Sequence, residues 1–154
     1  GGEQVVGIVF PSVPVPAGAT ATDAYVLFDV DEVRPGASDA DVTISIYGEK
    51  NINAAKPSNG AFDLSSRTPT AAAVSWQPEP SANVHDELKT PDLSPIVQEI
   101  VNLQGWTPGN PMGILFGHVA GGGSRWVVRR HVVASVPLRS HKRRVRAGIL
   151  PHQQ

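Results

Sequence analysis

Apolar and polar positions alternate with a period of two along much of this chain, the mark of strands that bury one face. Residues 4–10 (QVVGIVF) are an apolar run and predict a strand. From 24 to 30, Ala24, Val26, Phe28 and Val30 fall on one face, and Tyr25, Leu27 and Asp29 on the other. From 41 to 48 the alternation is cleaner, with Val42, Ile44 and Ile46 set inward and Thr43, Ser45 and Tyr47 outward. Residues 71–76 and the apolar run 112–118 predict two further strands, the first closed by Pro78 and Pro80. Between them lie turn signals: three prolines with Pro16-Ala17-Gly18 in 11–22, Pro35-Gly36, a polar irregular stretch over 50–70, and Gly121-Gly122-Gly123. The pattern predicts antiparallel strands with one wet face, in the manner of sandwiches and barrels.

One segment breaks the period of two. Leu93, Ile96, Val97, Ile100 and Val101 recur at helical spacing, with Ser94, Gln98, Glu99 and Asn102 on the opposite, polar face. Thr90 and Asp92 are candidate N-caps, Pro95 fits a first turn, and Gly105 ends the run. A helix over 92–103 is expected, the only one longer than two turns, held by burial of its stripe.

Composition narrows the class. The 154 residues suit one domain with a real core, and 40% hydrophobic against 18% charged residues excludes a disordered chain. There is no Cys, which removes disulfides, thiolate metal sites and thiol catalysis together. No apolar run is long enough for a membrane helix, and no Asn-x-Ser/Thr sequon occurs. The chain opens at Gly1-Gly2 directly before a strand, as a mature or trimmed product would. Charge divides sharply. Residues 1–124 hold 5 Lys/Arg and all 14 Asp/Glu, whereas 125–154 hold 8 Lys/Arg and no acid. The expected organisation is a body over 1–124 and a basic strand and tail over 125–154, exchanged with a neighbouring subunit.

No motif marks an active site. The five histidines show no metal-ligand spacing, there is no Gly-x-Ser-x-Gly elbow, and Gly121–Ser124 lacks the Lys-Ser/Thr of a phosphate loop. No cofactor is implied, with one qualified alternative: Asp29, Asp31, Asp39 and Asp41 at strand ends could offer oxygens to Ca²⁺. Tyr25, Tyr47 and Trp126 are candidates for stacking on sugar rings, whereas Trp76 and Trp106 are expected in the core. Arg139, Lys142, Arg143, Arg144 and Arg146 could contact phosphates, but without interleaved aromatics the acidic body is the better partner, and nucleic acid is not expected.

Residues 4–117 resemble a bacterial extracellular β-sandwich module of multidomain secreted and surface proteins, similar to jelly-roll carbohydrate-binding modules. The stretches that carry the likeness are QVVGIVF at 4–10, VPAGATATDAYVLFDVDE at 15–32, SSRTPTAAAVSW at 65–76 and TPDLSPIVQEIVNLQGWTPGNPMGILF at 90–116. The resemblance implies a jelly-roll-like fold and a secreted or cell-surface setting. The chain departs from it twice. Such modules carry a further strand ahead of the position of Gln4, and they end on a Ser-Tyr-Asp-Gly motif and a short apolar strand. Here the ending is WVVRRHVVASVPLRSHKRRVRAGILPHQQ. Codons can be chosen for 127–133 that, one base on, read Ser-Tyr-Asp-Gly-Thr-Ser, so a shifted frame is one origin for the tail. A missing edge strand would leave an open groove, and a neighbour's strand could fill it. The expected function is therefore a non-catalytic secreted structural module, a subunit of an extracellular filament assembled by strand exchange. Trp126, Val128, Arg130, Val132, Val136 and Leu138 are its expected subunit contacts. The alternative is a carbohydrate-binding module with polysaccharide as partner.

Overall fold

The computed structural model describes residues 5–33, 42–58, 60–79, 83–120, 126–127, 132–138 and 141–147, and of 32–33, 118–120 and the last three stretches the backbone. The described chain is mostly β, with two four-stranded antiparallel sheets and one α-helix. In the first sheet, β1 (Val5–Phe10), β7 (Met112–Ala120), β4 (Thr43–Glu49) and β5 (Pro69–Trp76) lie in the order β1-β7-β4-β5. In the second, β10 (His141–Ala147), β9 (Val132–Leu138), β2 (Tyr25–Asp29) and β6 (Glu87–Lys89) lie in the order β10-β9-β2-β6. A two-stranded ladder joins β3 (Glu32–Val33) to β8 (Trp126–Val127).

The two sheets contribute to one core. Ile8 and Phe10 of β1, Ile46 of β4, Met112, Ile114 and Phe116 of β7, and Val26 and Leu88 from the second sheet are all buried in a single cluster. Phe28 of β2 stacks on Trp76 of β5 with centroids 5.7 Å apart and meets Phe116 edge-on at 5.5 Å, geometries that aromatic pairs favour. The period-two assignments hold here: Val26, Val30 and Ile46 are buried, Phe28 packs against the core, and Trp76 and Trp106 are core residues.

The helix, α1 (Ser94–Val101), is shorter than the expected 92–103. Leu93, Ile96, Val97 and Ile100 are buried, as their spacing predicts. Ser94 is buried as well, although it belongs to the polar set. The reason is local: Asp92 Oδ1 accepts from the Ser94 N–H, the Ser94 hydroxyl and the Ala24 N–H, which ties the first turn to β2. Asp92 thus does a capping residue's work from the position before Leu93, the residue at the cap. Burial alone would raise the Asp92 carboxyl, but the bonds from the Ser94 hydroxyl and the two N–H groups together bring it below its usual range. Gly105, at φ +90°, turns the chain out of the helix.

Residues 11–22, read as a loop, are loop in structure but not wet. Val13 and Val15 lie in the core, and the Trp106 indole N–H donates to Val15 O at 2.9 Å. Of the stretch 50–70 read as irregular, the described residues up to 68 form no strand or α-helix, whereas Pro69 and Thr70 already belong to β5; Ala54 and Leu64 of this strap lie on the outer face of the first sheet. Glycines in the strands beneath allow the close approach. A Cβ at Gly7 would sit 2.6 Å from Leu64 Cδ2, and one at Gly113 would sit 3.3 Å from Ala54 Cβ. Leu115, on that outer face, is 1% exposed. The C-terminal segment differs from the single strand-like run followed by a tail. It forms β8, β9 and β10, and the basic stretch 141–147 is itself a strand, paired with β9 from His141↔Leu138 to Ala147↔Val132.

Candidate functional site

The sugar-stacking candidates do not meet. Tyr25 is in the second sheet, Tyr47 in the first, and Trp126 in the two-stranded ladder. Tyr25 and Tyr47 alternate with buried Val26 and Ile46, so each turns away from the shared core, on opposite outer faces. Lys89 Nζ sits 3.9 Å from the centroid of the Tyr25 ring and occupies one of its faces. Tyr47 is half-buried and lies across Gly117, where a Cβ would be 3.5 Å from its Cε1.

Among the calcium candidates, Asp29 ends β2 and its carboxylate faces His85 Nδ1 at 3.3 Å. Asp31 lies two residues beyond, and Asp39 and Asp41 fall outside the described residues. Among the described residues no three His, Asp or Glu side chains converge as a metal site. Of the expected subunit contacts, Val132, Val136 and Leu138 lie in β9 and Trp126 in β8; Val128 and Arg130 fall outside the described residues.

The described elements end in sheet edges, which differ in how they are covered. At one edge of the first sheet, the ladder between β4 and β5 slips between Tyr47 and Glu49. Such a bulge leaves backbone groups without a ladder partner. Side chains supply them. Thr70 Oγ1 accepts from the Gly48 N–H at 2.9 Å and donates to Ala72 O at 2.7 Å. Glu99, reaching from α1, accepts from the Ala71 N–H at 2.9 Å and the Ala72 N–H at 2.8 Å. These two N–H bonds are the main reason its carboxyl is held below the usual range, with Lys50 Nζ at 4.0 Å adding a little. The helix can come this close because position 48 is glycine: a Cβ there would lie 2.7 Å from Ile100 Cδ1 and 2.8 Å from Ile96 Cγ2.

A second polar cluster fixes the strap. The Arg67 guanidinium donates to Glu49 Oε2 at 2.7 Å, to Ala55 O at 2.8 Å and to Asp63 Oδ2 at 3.2 Å. Arg67 and Glu49 side chains are 7% and 8% exposed, so this is a buried ion pair; the strap supplies acceptors for the other guanidinium N–H groups, and Asn51 Nδ2 donates to Glu49 Oε1. Asp63 is held low first by the Ser58 N–H and then by Arg67.

The opposite edge is different. β1 (VVGIVF) carries no charge, and among the described residues it pairs only with β7. Val6, near its start, is 53% exposed. β10 runs within 8 Å of β1, Cα to Cα, without joining its ladder. The strand at the edge of the second sheet, β10, reads HKRRVRA, with four Lys/Arg in seven residues. β9 lies between β10 and β2, with Tyr25↔Ser135, Val26↔Ala134 and Leu27↔Val133 in register. Without β9, β2 would keep only the three-residue ladder to β6.

Sequence reasoning placed Glu99 on a wet helix face and missed its role at β5. The signal was faint: a single acid beside apolar stripe positions gives no sign of the bulge it serves. Arg67 was equally unmarked, although Asp63 four residues earlier is a spacing at which side chains meet. Comparison of the chain with protein-family models, with curated proteins and with solved structures finds no match.

Proposed function

We propose that this chain is a non-catalytic structural module of β-sandwich, jelly-roll-like type, of the secreted class it resembles, which associates with copies of itself by strand addition; a filament is the extended form of that association. One observation carries the reading: two sheet edges on the same side of the molecule, uncharged β1 and basic β10, have their outer backbone unpaired among the described residues, while the far edge of the first sheet is capped by a helix carboxylate. An unpaired edge is a template for another strand. A six-residue, uncharged, β-branched stretch such as β1 is the kind that pairs readily. The sandwich reading is supported by the shared core and the Phe28–Trp76 stack between sheets. β9 pairs with β2 of its own chain, so the association proposed adds strands at the edges with β9 in place. Light scattering over a concentration series, with electron microscopy of the concentrated sample, tests it. Mass rising with concentration is expected; monomers throughout would contradict the proposal.

Carbohydrate binding is the second reading, and Tyr47 favours it. Its ring lies on a glycine beside Ser45, with Ser75 opposite in register, a shallow patch of small residues that a sugar ring could cover. Tyr47→Ala would abolish polysaccharide retention under this reading and leave it unchanged if the patch is bare surface.

A further inference from the structure

Resting on the self-association just argued, we infer that its first contact is a closed twofold pair in which β1 of each copy adds to β10 of the other. In the two four-stranded sheets the edges are β1 and β5 in the first and β10 and β6 in the second, while β3 and β8, the edges of the small ladder, are two residues long and offer little to pair with. β5 has its Ala71 and Ala72 N–H groups taken by Glu99 and is packed by α1. β6 is three residues long and offers little ladder. That leaves β1 and β10, and they are neighbours on one side of the molecule. A second copy meeting that side therefore meets both edges at once.

Because the two sheets share a core between them, a twofold axis can join two such sides in two ways. An axis perpendicular to the sheets sets β1 against β1 and β10 against β10. An axis along the strands sets each β1 against the other copy's β10. The first arrangement pairs the strand HKRRVRA, with its four Lys/Arg, with the same strand of the other copy. Like charges opposite each other in a ladder oppose pairing. The second brings that basic strand to one with no charge at all. Charge selects the second. Either arrangement would join the four-stranded sheets into eight-stranded ones, so charge alone decides between them.

Val6 provides the test, because its side chain is 53% exposed and a charge there leaves the core intact. The Kd of the pair is measured by analytical ultracentrifugation at low salt for the full chain, Val6→Glu and Val6→Lys, with a thermal melt to show that each variant is folded. With β1 against the basic strand, Val6→Glu tightens the pair roughly three- to thirtyfold and Val6→Lys weakens it by a similar factor. Added salt then erases both effects. If both variants weaken the pair alike, β1 faces β1 and the inference is overturned. If neither changes a pair that the unaltered chain still forms, the contact lies elsewhere: the inference falls while self-association stands. A chain that stays monomeric at every concentration overturns both.

Discussion

The first sheet ends in two edges that the same fold treats in opposite ways. At β5 a bulge frees N–H groups, a glycine lets a helix approach, and a carboxylate from that helix accepts them. At β1 the strand has no charge and no proline, and β10 comes within 8 Å of it, Cα to Cα, without joining its ladder. Exposed edges are usually blunted by charge, proline, bulges or a covering segment. β5 has a bulge, a helix and a charge, and β1 has none of these. The guard on β5 is at Ala71 and Ala72, and β1 has no counterpart to it, which is why the proposed pairing is placed there.

The largest expected effect concerns the strap, which lays Leu64 over Gly7 of β1. Arg67→Met would leave Glu49 buried without its cation, a change that costs about 3–5 kcal/mol in such sites. Chemical denaturation should show that loss, and the outer face of β1 should become reactive to apolar dyes. A loss under 1 kcal/mol would mean that the strap is held by something else. At the sealed edge, Ile100→Ala removes a fully buried side chain from the stripe that seats the helix and should cost about 2–5 kcal/mol in the same assay. Gly48→Ala drives a Cβ into Ile96 and Ile100 and should cost about 1–3 kcal/mol. It should also speed exchange of the Ala71 and Ala72 amides, because the helix must back away from β5.

Glu99→Gln is the smallest and the sharpest of these changes. It keeps the shape and removes the charge from two N–H bonds, so about 0.5–1.5 kcal/mol should be lost at neutral pH. The pH dependence has a definite sign. The folded carboxyl titrates below its usual value of 4.5, so its contribution is complete above that value and disappears as pH falls through the lower folded one. Acid should therefore loosen β5 in the native chain, and the glutamine variant should lack that part of the acid slope. An unchanged slope would remove Glu99 from the account of this edge.

Much of the architecture was legible in the sequence because it rests on local periodicity. Val26, Val30 and Ile46 face inward by alternation alone, and Leu93, Ile96, Val97 and Ile100 are buried by helical spacing alone. What was not legible depends on partners far along the chain. Ser94 is buried because Asp92 and Ala24 meet there, and Glu99 is an edge guard because the ladder slips 50 residues before it. The stacking candidates show the same limit from the other side. Tyr25, Tyr47 and Trp126 share a chemistry in sequence, but only pairing order reveals that they belong to three different sheets. The basic stretch 141–147 read as a tail because Arg and Lys are poor strand signals, and its pairing with β9 supplies what propensity did not.

Amide hydrogen exchange on the intact chain, followed residue by residue at low and at high concentration, tests the contrast between the edges most directly. The Ala71 and Ala72 amides should be protected at every concentration, because their acceptor belongs to the same chain. Under the proposed pairing, the β1 amides that point away from β7 should exchange fast when dilute and slowly when concentrated, since a second copy would supply their acceptors. Exchange in β1 that does not depend on concentration, or β5 amides as open as those of β1, would contradict the account.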